Sequence, residues 1–486
     1  MLSGDMLFDL DYYHKLNNVV ADPGYREHVM SLMRLMKMSR FPVLKRTHWI
    51  TNATQVAIIK RIVQYEDAVA RGRAMSEQST SDKEHKSYLV GIRINRNLAR
   101  ICRTIADGIA WRNFDFNRPL LRLLSGNKYA GVFPADYAEF YRRILVGSRY
   151  VTIICDSTRF LRIGDVIRIY PEGQRIIFEF KKGGKRRKDM EGILADMRKY
   201  GRWANRQELR HLIAQDAIIS GLIRIPVMTE EGRVGEVFNA QIREIKTPVR
   251  HHYRKIRGCI RRANQSCFSS CELEPGVYVE FTAIDRWIDR GADEMGALFE
   301  KHKTSSEKSL PTWVKDKNKH VVRFASLDLA YEKGGEFIRN VAPFSVFPLR
   351  ARDCLRLMSG HLQFIQYFDL QALADRFRQR GWNVEDQIEQ SLAVHAGQRS
   401  SQTADVLESA TANDLPDTLF VVSKRFADGR LTCEVPLTLF FWIATSFYTF
   451  DFLVDVYEEL GRIGPSSSNN TPLTTFNLLG EQRVLT

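Results

Sequence analysis

The chain has 486 residues, 72 Lys and Arg against 57 Asp and Glu, and a formal net charge of +15. Its 44% hydrophobic and 27% charged content is that of a soluble globular protein, not of a disordered tail or a membrane-embedded chain. At roughly 100–200 residues per domain, this length gives about two or three domains, and the cationic excess points to a polyanionic partner, nucleic acid ahead of an anionic membrane surface. The seven cysteines, Cys102, Cys155, Cys259, Cys267, Cys271, Cys354 and Cys433, have no framework spacing, which fits reduced thiols and a cytoplasmic location. The start, "MLSGDMLFDLDYYHK", has no basic segment leading into an apolar one and does not read as a signal peptide.

In chain order, residues 1–94 read as an N-terminal helical region. "YREHVMSLMRLMKM" and "ATQVAIIKRIVQYEDAVARGRA" place apolar residues at helical spacing. "MSEQSTSDKEHKS", Met75 to Ser87, reads as a polar loop. A helix over "NRNLARICRTIADGIAWRNFDFNRPLLRLLS" and a shorter one over "PADYAEFYRRILVG" follow. From Arg149 the pattern turns to β-branched and aromatic residues. Three strands are expected at Tyr150–Asp156, Asp165–Tyr170 and Arg175–Lys181, with "PEGQ" turning between the last two.

Met190, Ile193, Leu194, Met197 and Tyr200 then recur at the spacing of a helix laid on a sheet. Further helices are expected beyond it, the longest over "EVFNAQIREIKTPVRHHYRKIRGCIRRANQ", broken at Pro248, and then a strand over Gly276–Asp285. Residues 95–300 form one expected domain and 301–486 a mixed α/β domain with a polar linker at 395–417. The most apolar segment, Pro436–Val454, is interrupted by Asp451 and polar residues. It reads as a buried core helix, being less uniformly apolar than a span of about 20 residues requires.

Charge stands out in one expected strand. Alternation puts Ile177, Glu179 and Lys181 on one face and Ile176, Phe178 and Phe180 on the other. A carboxylate there costs several kcal/mol if it is dry and unpaired, which a bound cation or a lysine partner would offset. Asp165 opens the preceding strand, and the turn decides whether it shares that face. A two-residue turn at Glu172-Gly173 sets Asp165 opposite Phe180, on the wrong face. A three-residue turn over "EGQ", or a bulge, sets it opposite Lys181. The plain alternative makes Asp165 a turn residue and Glu179 with Lys181 an ion pair.

Gly164-Asp165, a hairpin, and Glu179-Phe180-Lys181 together resemble the PD-(D/E)xK nuclease superfamily, whose restriction-endonuclease-like core runs helix, three antiparallel strands, helix, strand. The resemblance covers about 100 to 200 residues, on the family's scale of one domain. It implies an α/β (α+β) core with a mixed sheet flanked by helices, the strand at Gly276 completing it. It also implies Asp165 and Glu179 as ligands of Mg²⁺, with Mn²⁺ as a possible substitute, the backbone carbonyl of Phe180 as a further ligand, and Lys181 positioning the attacking water. Asp107 is the candidate for the acid that many members add from the first helix. Where some members carry Gln and Tyr on the following helix, this chain has Asp196 and Tyr200.

The implied activity is endonucleolytic hydrolysis of DNA, with bacterial defence against foreign DNA as the setting and a homodimer or partner proteins of a defence system as possible associates. An inactive nuclease fold that holds nucleic acid is the rival reading, and a scaffold with no nucleic-acid role is a third.

Two basic stretches fit backbone phosphates. "KKGGKRRK" supplies Lys182, Lys185, Arg186, Arg187 and Lys188 on a glycine-hinged loop. "RHHYRKIRGCIRR" supplies Arg250, Arg254, Lys255 and Arg257, followed by Arg261 and Arg262, on an expected helix. Either could equally be a solvated face. His252, Cys259, Cys267 and Cys271 lie close in sequence but match no usual zinc spacing, so buried thiols are the reading adopted.

Overall fold

A computed structural model describes residues 19–40, 48–114, 133–161, 165–170, 175–178, 222–228, 234–241, 250–289, 310–315, 321–326, 343–386, 418–426, 429–436 and 447–463. The helices are α1 (Pro23–Ser31), α2 (Met33–Met38), α3 (His48–Gln78), α4 (Asp82–Asn113), α5 (Ala138–Gly147), α6 (Tyr253–Ser266), α7 (Ile284–Ile288), α8 (Thr312–Lys315), α9 (Ala351–Ser359), α10 (Leu370–Gln379) and α11 (Phe450–Ile463). The strands are β1 (Val151–Ile154), β2 (Val166–Ile169), β3 (Arg175–Phe178), β4 (Leu222–Met228), β5 (Val234–Gln241), β6 (Phe268–Glu274), β7 (Val277–Ala283), β8 (Val321–Ala325), β9 (Leu362–Asp369), β10 (Asn383–Asp386), β11 (Thr418–Phe426) and β12 (Gly429–Pro436). The architecture is α+β, and every strand pairing among the described residues is antiparallel. The mixed sheet expected from the family resemblance is therefore not seen there. The chain divides into two compact units, one of Leu32–Glu244 with Thr474–Arg483, the other of Met1–Ser31, Ile245–Leu473 and Val484–Thr486.

In the unit of residues 32–244, α3 and α4 form a long helical hairpin. Ile58, Ile62, Tyr65 and Val69 recur at helical spacing on α3, and Leu98, Ile101, Cys102, Ile105 and Ile109 on α4; all are buried. Residues 79–81 alone separate the two helices, so the polar run Met75–Ser87 is mostly helix ends, not a loop. Its polarity reports exposure: residues 81–87 all face solvent. Asp82 and Glu84 sit in the first turn of α4, where carboxylates offset the helix dipole. Gly72 is where the helices come close, since a Cβ there would lie 2.9 Å from Ile92 Cγ1. The boundary expected between residues 94 and 95 falls inside α4.

Strands β1, β2 and β3 form a meander in that order, as their β-branched content predicts. The outer edge of β1 is not left open. Asn52 and Gln55, one turn apart on α3, turn their amides onto it. Asn52 Nδ2 donates to the carbonyls of Leu145 and Tyr150, and its Oδ1 accepts from Thr152 N at 3.2 Å. Gln55 Nε2 donates to Thr152 O at 2.5 Å, and its Oε1 accepts from Ile154 N at 3.0 Å. A helix thus satisfies the backbone groups that another strand would otherwise claim.

Two expectations fail in physical terms. "EVFNAQ" was expected to open a helix, but β5 pairs with β4, Ile225 against Phe238 and Leu222 against Gln241. Val234, Val237 and Phe238 favour strand, and the gain from pairing with the β-branched run of β4 overrides the helical spacing of the segment. The strand at Gly276, expected to complete the nuclease-like core, is β7, and it pairs with β6 and β9. Gly276, at φ +86°, supplies the left-handed turn that folds β7 back along β6.

The second unit is built on the sheet β6-β7-β9-β8. Phe281 pairs with Phe364 and Val277 with Phe368, so these side chains share a face. Phe364 meets Phe344 edge-on and Phe447 at a tilt, and Phe347 with Phe447 packs on Tyr253 of α6. Asp369 closes β9 and caps α10, its Oδ1 accepting from Gln371 N and Ala372 N. A smaller sheet, β10-β11-β12, joins α11 through Glu458, which accepts from Trp382 Nε1 at 2.8 Å and Lys424 Nζ at 2.6 Å. The apolar segment Pro436–Val454 begins at the end of β12 and finishes in α11; residues 437–446 lie outside the described residues. Among the described residues no helix is long and apolar enough to cross a membrane.

Candidate functional site

Asp165 stands immediately before β2. Its carbonyl accepts from Cys155 N at 2.9 Å, which carries the β1–β2 ladder one step past Ile154 and Val166. Asp156 follows at the same end of β1. β3 runs antiparallel to β2 with Val166 opposite Phe178 and Ile169 opposite Arg175. This is neither of the two registers anticipated. Five residues, 170–174, separate the last pair, against the two or three of the turns considered. The displacement nonetheless keeps the parity that the shared-face argument needs, since Ile167, on Asp165's face of β2, is opposite Ile177.

Glu179, Phe180 and Lys181, and the basic loop of Lys182, Lys185, Arg186, Arg187 and Lys188, lie outside the described residues. So do Asp196, Tyr200 and the helix expected there.

Around this end of the sheet the chain gathers charge. Tyr141 of α5 is buried and donates to Asp156 Oδ2 at 2.6 Å. Burial, then the carboxylates of Asp156 and Asp165, push the Tyr141 hydroxyl well above its usual range, so it stays a donor that orients Asp156. Arg103 of α4, also buried, donates to Asp156 O at 2.8 Å and pairs with Glu66 Oε1 at 2.9 Å. Glu66 Oε2 in turn accepts from Phe133 N at 2.7 Å. Asp107 is buried, and its Oδ1 accepts from Arg159 N at 2.6 Å, anchoring the segment between β1 and β2 to α4. Asp107 thus reaches the neighbourhood of the sheet end in a role that holds backbone. Asp156, Tyr141 and Arg103 were not singled out by sequence reasoning. The one available signal was Asp156 closing an apolar strand, and its partners arrive only through the fold.

The helix α6 carries the second sequence-predicted group. Tyr253, Ile256, Cys259, Ile260 and Ala263 are buried, while Arg254, Lys255, Arg257, Arg261 and Arg262 face solvent. Part of this cationic face is tied to the protein: Lys255 donates to Leu273 O, Arg257 to Pro348 O, and Arg262 to Ser269 Oγ at 3.0 Å. These contacts use donors without neutralising charge, so the face stays positive.

His252 is buried against Glu274 at 3.1 Å, and Cys259 and Cys267 are buried thiols. Cys271 and then Arg262 draw the Cys259 thiol below its usual range. Among the described residues no group of three or more His, Cys, Asp or Glu is placed to hold a metal ion. No family model, curated protein or solved structure matches the chain.

Proposed function

We propose that the chain is a Mg²⁺-dependent nuclease with a restriction-endonuclease-like catalytic core that hydrolyses DNA phosphodiesters, with defence against foreign DNA as its setting. The observation that carries this reading is the β2–β3 register. One further pair of the same ladder would be Asp165 with Glu179, the arrangement that two carboxylate ligands need. Asp165 is part-exposed, so it suits an ion that keeps most of its water, as Mg²⁺ does. Glu179 and the carbonyl of Phe180 would join it. The ion would polarise the phosphodiester and favour hydroxide.

The chain's own contributions are then distinct. Lys181 would position the water, Tyr141 orients Asp156 beside Asp165, and Arg103 holds the end of β1 in place. Asp107, engaged with Arg159 N, is left out of the ligand set. The test is cleavage of plasmid and linear DNA with Mg²⁺ or Mn²⁺ by the wild type and by Asp165→Asn, Glu179→Gln and Lys181→Ala. Each variant should lose cleavage and keep DNA binding.

The second reading, DNA binding without cleavage, is favoured by the cationic face of α6. It requires wild-type protein that binds DNA and cuts none under any of those conditions.

A further inference from the structure

The unit of residues 1–31 and 245–473 contains a cavity of about 240 Å³ unrelated to the acids discussed above. Its wall is formed by Arg26, Val29 and Met30 of α1, Asp285 of α7, Arg352 and Arg356 of α9, and His361 just before β9. Three guanidinium groups therefore line it against one carboxylate. Arg356 is 3% exposed and grips Asp285 with two bonds, Nε to Oδ2 at 2.8 Å and Nη2 to Oδ1 at 2.5 Å. That pair cancels, and Arg26 is paired through both Nη atoms with Asp289, which leaves Arg352 as the lining cation without an ion pair among the described residues. Arg26 leans outward onto Asp289, while Arg352 is exposed.

His361 is the most telling member. It is 2% exposed, its ring stacks on Tyr25 at 5.4 Å, and its Nδ1 lies 2.6 Å from Ser359 Oγ. Its Nε2 is buried and makes no full hydrogen bond, although the backbone of Val20 interacts with the ring. A buried polar atom only partly satisfied has hydrogen-bonding capacity left for an occupant. Burial disfavours the charged ring, with a pKa pushed down to about 4. Val29 and Met30 add an apolar flank.

We propose that this cavity is a binding site for a small organic oxyanion, a phosphate monoester or a carboxylate, held by Arg352 with His361 at its inner wall. Guanidinium forks match both oxyanions in geometry, and the apolar flank of Val29 and Met30 suits the organic part of the ligand. Arg356, already held by Asp285 and Asn264, fixes the floor. The site uses no residue of the proposed nuclease centre, so the two readings stand or fall separately.

Calorimetric titration of the full chain with inorganic phosphate, a nucleoside 5′-monophosphate and malonate tests it. Saturable binding of at least one probe is expected. Arg352→Gln should weaken it about tenfold, the loss of one charge-assisted contact. Met30→Glu, which sets a carboxylate at the rim, should weaken it at least as much. Both positions are exposed, so an unchanged thermal transition confirms folding. Phosphate probes binding without malonate identifies a phosphate ligand, and the reverse a carboxylate. No saturable binding of any probe, or binding that both variants leave unchanged, overturns the proposal.

Discussion

Buried charge decides most at the scale of single residues. His361 is surrounded by Asp285, which favours its protonation, and by Arg356 and Arg26, which oppose it, but burial dominates. Its folded pKa of about 4 lies below the ordinary 6.5, so the unfolded chain takes the proton first. Stability present above about pH 6.5 is lost as pH falls toward 4, by up to about 3 kcal/mol. Urea unfolding at pH 7 and pH 4.5 should show this slope in the wild type, and a flatter one in His361→Gln.

Arg103 offers the complementary case. Arg103→Met leaves the part-buried Glu66 without its cation and takes a donor from Asp156 O, which should cost about 2 kcal/mol or more in the same assay. Of these residues, only the acids and bases inside apolar strands could be seen in the sequence. Asp165 was visible because a carboxylate opens an apolar run. Arg103, Tyr141 and His361 were not, because their partners come from elements far away in the chain.

Between elements, the edge of β1 is the most informative feature. Gln55→Leu removes the amide that serves Thr152 O and Ile154 N, both in a buried strand. Each group left unmatched costs roughly 1–3 kcal/mol, so a loss of about 2–4 kcal/mol is expected in denaturant unfolding. In the other unit, Gly276→Ala meets two obstacles, a φ of +86° and a collision with Ala372 Cβ. A destabilisation of about 2 kcal/mol or more should follow, against about 1 kcal/mol for removing the Asp369 cap with Asp369→Ala.

The strands β1, β2, β3 and β7 were legible from β-branched density, to within two residues at each described end. β5 was not, because a segment that satisfies both periods is decided by its partner. Nor was the true length of α3 and α4, because polar helix ends resemble loops in composition. The hairpin register was beyond reach for a similar reason, since turn residues limit the loop length without fixing it.

For the molecule as a whole, the proposed DNA binding should weaken steeply with salt, given the charge of +15 and the exposed cations of α6. Arg254→Gln with Arg261→Gln should lower the slope of log affinity against log salt by up to about 2, in fluorescence anisotropy with two unrelated duplexes, and equally for both sequences. The antiparallel meander was legible in sequence, but the strand meant to complete its core was not, because only the fold shows that β7 belongs to another sheet.

The central claim concerns Asp165 and the two residues that follow β3. A plasmid-cleavage assay with Mg²⁺ and Mn²⁺, run beside anisotropy on the same preparations, tests it most directly. Metal-dependent cutting by the wild type is expected, abolished in Asp165→Asn and in Lys181→Ala with DNA affinity unchanged. Wild-type protein that binds DNA without cutting it in either metal, or variants that cut as well as the wild type, would contradict it.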